Sequence, residues 1–125
     1  MASERFERGL KVRREVLGAA YVDRSMAEAD DFSRPMQELV TEYCWGEIWT
    51  QPELQRKTRS LINIAMISAL NRPHELKLHV RGALRNGCSK EEIRAVLMQV
   101  AIYCGVPAAI DGLRVAREVL KEEGI

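Results

Sequence analysis

The stretch Asn71-Arg72-Pro73-His74-Glu75-Leu76-Lys77-Leu78-His79-Val80-Arg81-Gly82-Ala83-Leu84 decides how this chain is read. Pro73 suits the first turn of a helix, because its φ is already helical and its missing N–H had no partner to lose. From there a step of about 100° per residue gathers Leu76, Val80, Ala83 and Leu84 into an apolar arc. His74, Lys77, Arg81 and Arg85 collect on the opposite side. Glu75 and His79 stack one turn apart, between Leu78 and the Ala83 edge of the arc, so both are expected to face inward. Gly82 in mid-helix costs roughly 1 kcal/mol against Ala, which implies close packing there.

Outward from this helix the same periodicity continues. Upstream, residues 55–70 are apolar nearly all round (Leu61, Ile62, Ile64, Ala65, Met66, Ile67), the pattern of a central buried helix, with Arg59 and Asn63 as polar exceptions. Ser33 and Pro35 start an earlier helix that runs to about Trp49. Its inward stripe is expected to be Met36, Leu39, Val40, Tyr43 and Cys44, with Glu47 one turn further on the same stripe. Trp45 and Trp49 fall on the other side, where aromatics suit a subunit interface. Ser3 caps a first helix over residues 4–17, stopped by Gly18. The polar run Asp23–Asp31 reads as a connector, with a helical turn as the alternative.

Downstream, Asn86-Gly87 ends the Pro73 helix. Ser89-Lys90-Glu91-Glu92 is a capping box opening a helix with Ile93, Val96, Leu97, Val100 and Ala101 inside. Tyr103-Cys104-Gly105-Val106-Pro107 turns the chain into a last helix carrying Ile110, Leu113, Ala116, Val119 and Leu120. No strand alternation, repeat or linker interrupts the pattern. The expectation is a single all-α domain over residues 1–125, a bundle of five or six helices.

Bulk properties narrow the function. The formal net charge is +1, with 19 Lys and Arg interleaved among 18 Asp and Glu, so there is no basic stripe for nucleic acid. No apolar run reaches a membrane span and the N-terminus lacks signal-peptide character, so a cytoplasmic protein with no membrane partner is expected. Cys44, Cys88 and Cys104 show no metal-ligand spacing and read as reduced, mostly buried thiols. With two histidines, a three-histidine metal site is impossible, and no pattern asks for a mixed one. Neither metal nor cofactor is expected.

Three features could carry chemistry. Glu75 and His79 form either a surface i,i+4 pair or an acid/base pair, the carboxylate raising the imidazole pKa and holding its tautomer. Glu47 on an apolar stripe would need a cation, with Arg59 the obvious one, stay protonated, or line a wet pocket, since an unpaired buried carboxylate is expensive. Tyr103 is either a helix-corner residue or a hydroxyl aimed into a groove.

Read together, Trp45-Gly46-Glu47-Ile48-Trp49, Lys57-Thr58-Arg59-Ser60-Leu61, Asn71 to His79 and Tyr103-Cys104-Gly105-Val106-Pro107 resemble the carboxymuconolactone decarboxylase family. The resemblance runs in order along nearly the whole chain. It implies an all-helical fold shared with the alkylhydroperoxidase-D type of peroxidase, and homo-oligomers, commonly hexamers or trimers. It also implies cofactor-free loss of CO2 from 4-carboxymuconolactone, a small dicarboxylate lactone, to give the enol-lactone of 3-oxoadipate in protocatechuate breakdown.

The peroxidase branch carries C-x-x-C-x-x-x-H. With its histidine on His79, the two cysteine positions fall on Arg72 and Glu75, so both thiols are missing here. The resemblance therefore casts His79, Glu75 and Glu47 as catalytic candidates, His79 protonating the dienolate or donating to its oxygen. Arg59, Arg72, Tyr103 and Trp45 become substrate-binding candidates, Arg suiting bidentate contact with a carboxylate. A thiol peroxidase or disulfide reductase of the same fold, and a non-catalytic helical oligomeric binding module, are the alternatives.

Overall fold

Every regular element in residues 3–125, which the computed structural model describes, is helical: seven α-helices and one π-helical segment, against the five or six helices expected. They form two compact units, the first ending at Leu54 and the second spanning Gln55–Ile125.

In the first unit, α1 (Glu4–Leu17) begins where Ser3 Oγ accepts the Phe6 N–H at 3.0 Å and stops at Gly18, whose φ of 96° only glycine adopts freely. The chain restarts at once as α2 (Ala19–Glu28), where a connector was expected. The signal was thin because Val22 alone is buried in this helix, while Arg14 fastens Asp23 at 2.8 Å. Asp30 then organises the turn by accepting the N–H groups of Phe32 and Ser33. Ser33 stands at the N-cap position of α3 (Arg34–Leu39), yet its hydroxyl accepts from Asp30 N–H and does not cap the helix.

From α3 the chain widens into a π-helical segment, Val40–Ile48, continued by a bond from Trp49 N–H to Cys44 C=O at 3.0 Å. This i→i+5 pattern puts the following residues out of α-helical phase. The inward face differs from the expected stripe, and the difference begins in α3, before the wide turn. Thr41, Trp45, Gly46 and Trp49 are buried, whereas Met36 is 60 % exposed and Leu39, Tyr43 and Glu47 also face outward; Val40 and Cys44 are half-buried. Trp45 and Trp49 are thus core residues, their rings stacked at 4.7 Å, and are not surface anchors.

Small residues choose the face. A Cβ on Gly9 would sit 1.9 Å from Thr41 C=O, and one on Gly46 would sit 2.3 Å from Arg5 C=O, so α1 and the π-helical segment meet backbone to backbone. Buried Arg13 reinforces the contact by donating to Gln37 Oε1 at 2.9 Å and Thr41 Oγ1 at 3.1 Å.

The second unit follows the sequence closely. It comprises α4 (Arg56–Ala69), α5 (Pro73–Arg85), α6 (Lys90–Cys104) and α7 (Val106–Glu122). Its core joins Ile64, Leu76, Val80, Ala83, Ile93, Leu97 and Val119. The capping box is complete: Ser89 Oγ accepts from Glu92 N–H at 3.0 Å and Glu92 Oε1 from Ser89 N–H at 2.8 Å. On the cationic side of α5, Lys77 and Arg81 pair with Glu122 of α7. Burial of α4 is less complete than expected: Ile64 is enclosed, but Ile62, Met66 and Leu70 are exposed. Ile110 of α7, expected inside, is exposed as well.

Candidate active site

α5 and α4 together place the imidazole. Leu76, Val80 and Ala83 pin α5 to the core, which leaves His79 half-buried at the edge of the contact with α4. There Asn63 brings its Nδ2 to 3.4 Å from His79 Nδ1. Arg59 lies one turn before Asn63 on the same face of α4 and is half-buried. Glu75, one turn before His79, is exposed, so the expectation of two inward groups holds for His79 alone.

The electrostatics change the sequence reading of this pair. Burial lowers the His79 pKa below its ordinary value, and the opposing pull of the Glu75 carboxylate is the smaller effect. Burial therefore favours the neutral ring. Asn63 was visible in the sequence only as a polar interruption of an apolar helix, and nothing in the spacing singled it out as a neighbour of His79.

Other candidates lie elsewhere. Arg72, at the N-cap of α5, borders a cavity with Ser68, Pro73, Leu76, Asp111 and Arg114. Tyr103 is 81 % exposed and borders a different, mainly apolar cavity with Leu61, Ile62, Val96 and Cys104. The two residues do not share a cavity. In the first unit, Glu47 is half exposed and pairs at 3.7 Å with Arg5. The premise of a buried carboxylate at Glu47 falls, because the whole expected stripe of Met36, Leu39, Tyr43 and Glu47 faces outward.

No cysteine is in a disulfide. Cys88 is buried, its thiol pKa raised by burial, and Cys44 is half-buried with the same shift, while Cys104 is exposed, unlike the buried thiol expected. Among the described residues no cluster of His, Cys, Asp and Glu could hold a metal ion, and no helix is long and apolar enough to cross a membrane.

Residues 34–118 match the model of the carboxymuconolactone decarboxylase family. A 4-carboxymuconolactone decarboxylase from Acinetobacter baylyi is 40% identical over 122 residues, 98% of this chain and 91% of that protein. The nitrosuccinic acid decarboxylase npaB from Metarhizium robertsii is 42% identical over 117 residues, 94% of this chain and 82% of that protein. A shorter match of 44 residues, 41% identical, links the chain to a 4-carboxymuconolactone decarboxylase from Pseudomonas putida, covering 35% of this chain and 92% of that protein. The names of these relatives are those of carboxy-lyases, and the matches reach both units. The chain belongs to the carboxymuconolactone decarboxylase family.

Proposed function

We propose that this chain is a cofactor-free carboxy-lyase converting 4-carboxymuconolactone to 3-oxoadipate enol-lactone and CO2, a step of protocatechuate breakdown. The reading rests above all on 40% identity along 98% of the chain to a relative of that name. The half-buried, neutral His79 beside Asn63 supports it, as a site for polar chemistry. The family match over residues 34–118 crosses the boundary between the two units, which supports reading the whole chain as one functional domain.

The substrate supplies its own electron sink. As the C–C bond to the departing carboxylate breaks, its electron pair moves through the ring alkene into the lactone carbonyl and leaves a dienolate. A proton on the ring carbon next to that carbonyl completes the product. The protein has to hold carboxylates, stabilise the oxyanion and deliver the proton. A neutral imidazole suits the second of these demands, because its N–H donates to the developing oxygen, a contribution on the order of 10²–10³ in rate. Of the two roles open to His79, donation to oxygen is therefore favoured over protonation of carbon. Glu75, solvent-facing one turn away, or water supplies the carbon-bound proton. Arg59, Arg72, Tyr103 and Trp45 remain substrate-binding proposals, and Glu47 a solvent-side carboxylate.

Nitrosuccinic acid is a second reading, since the relative that acts on it is 42% identical. Its nitro group is likewise an electron sink beside a carboxylate, and it asks the same of the protein. Purified protein supplied with each compound separates them: release of CO2 with enol-lactone formation is expected from the lactone. Turnover of nitrosuccinate alone would move the assignment to the second reading, and turnover of neither would remove it. A peroxidase role finds little support, since Arg72 and Glu75 occupy the thiol positions and Cys88 is buried against Lys57 C=O.

Homo-oligomerisation belongs to the same proposal. Ile62 and Met66 on α4 and Leu70 at its C-cap, with Ile102, Tyr103, Val106 and Ile110 at the α6–α7 corner, expose apolar side chains of the kind that mark interaction surfaces. A trimer or hexamer by light scattering is the expected result. Three free cysteines fit the reducing cytoplasm.

A further inference from the structure

We infer that Asn63 is a positioning residue whose side-chain amide donates to Nδ1 of His79 and thereby keeps the ring proton on Nε2. Its value to turnover rests on the decarboxylase reading above; its hold on the ring does not.

Asn63 stands in the middle of α4, where asparagine is a poor helix former and where the helix is otherwise mostly apolar. A polar residue kept there needs a partner. Ser60, on the same helix, has a structural one, since its hydroxyl accepts from Asn86 Nδ2 at 2.8 Å. For Asn63 the partner is His79, with Nδ2 at 3.4 Å from Nδ1. An amide nitrogen offers only protons, so the ring nitrogen opposite it presents its lone pair. A neutral imidazole carries one proton, which then resides on Nε2. The arrangement also opposes an imidazolium, whose Nδ1–H would meet the amide protons head on. Burial of the ring acts in the same direction.

The consequence for catalysis is orientational. A neutral histidine serving an oxyanion has one N–H to give, and the tautomer decides which nitrogen gives it. At metal sites, residues that orient an imidazole through its other nitrogen are typically worth about 10–100-fold in function. Asn63 would act on that scale through His79, without touching substrate.

The test uses two substitutions of opposite logic in the full chain. Asn63→Asp replaces a donor with a group that only accepts and so demands Nδ1–H. Asn63→Leu removes both options at similar size and with higher helix propensity. The chain has two histidines, so 15N-labelled histidine in a His74→Gln background leaves His79 alone to report its tautomer by NMR. The parent protein should show an unprotonated Nδ1, Asn63→Asp an unprotonated Nε2, and Asn63→Leu a mixture. A protonated Nδ1 in the parent, or an unchanged tautomer in both variants, would overturn the inference. With substrate, Asn63→Asp should lower kcat about 10–100-fold with KM little changed. Full kcat with an inverted tautomer would remove the positioning role. If the tautomer pattern holds while the parent protein decarboxylates nothing, the hold on His79 stands and the proposed reaction fails.

Discussion

The two units differ in how far local periodicity carries. In the second, caps and apolar arcs delimit the helices almost as the sequence suggests, because each is a regular α-helix whose buried side chains recur every third or fourth residue. In the first, the helix that begins at Arg34 passes into a π-helical segment, and the buried set becomes Thr41, Trp45, Gly46 and Trp49. One unit is held by interdigitating side chains; the other has a point where backbones touch. A periodicity argument presumes a constant turn, and that is what the π-helical segment withdraws.

Substitutions can sharpen this contrast. The largest expected effect lies in the second unit. His79→Ala should lower kcat about 10²–10³-fold if its N–H serves the oxyanion, measured in steady-state decarboxylation with thermal stability followed in parallel. Retention of full kcat would move the site away from α4 and α5.

Backbone contact comes next. Gly9→Ala should destabilise by about 3 kcal/mol, at the upper end for overpacking, since a methyl group there meets Thr41 C=O with no side chain free to yield. Gly112→Ala should cost about 1 kcal/mol, because the nearest atoms are the ends of the Leu97 and Ser68 side chains. Denaturant titration of both variants compares them directly. Equal costs would erase the distinction between the two kinds of packing.

A smaller effect is tied to pH. The folded-state pKa of His79 is depressed, so the unfolded chain binds the proton more readily. The contribution of this group is fully present above the unfolded value near 6.5 and is lost as pH falls from there through the lower folded value. Melting temperature of the parent should therefore decline on acidification in that window, and His79→Gln should decline less. Loss of Glu92 and Glu122 interactions belongs to a lower range, below the ordinary carboxylate value, because their pKa values are lowered by their hydrogen bonds.

The smallest effect concerns Glu47. Its pairing with Arg5 is exposed, and such pairs are worth about 0–1 kcal/mol. Glu47→Gln should leave the melting temperature nearly unchanged, and any loss of kcat would then report a chemical role.

What the sequence determined by itself was the set of helices in the second unit, the caps at Ser3 and Ser89, the arc of α5 and the membership of the family. Each of these depends on neighbours within a few residues or on motifs read in order. It also put His79 at the margin of a buried face. Tertiary structure decided the rest. Trp45 moved inside because Gly9 and Gly46 let two backbones close up, and Glu47 lies on the face turned away from that contact. Arg72 and Tyr103 went to separate cavities because they sit at the ends of different helices. The His79 pKa fell because enclosure outweighs the Glu75 carboxylate four residues away, and Asn63 became its neighbour because α4 packs on α5. Burial and contacts between helices depend on how separate segments pack, and a one-dimensional pattern carries only half of each such pair.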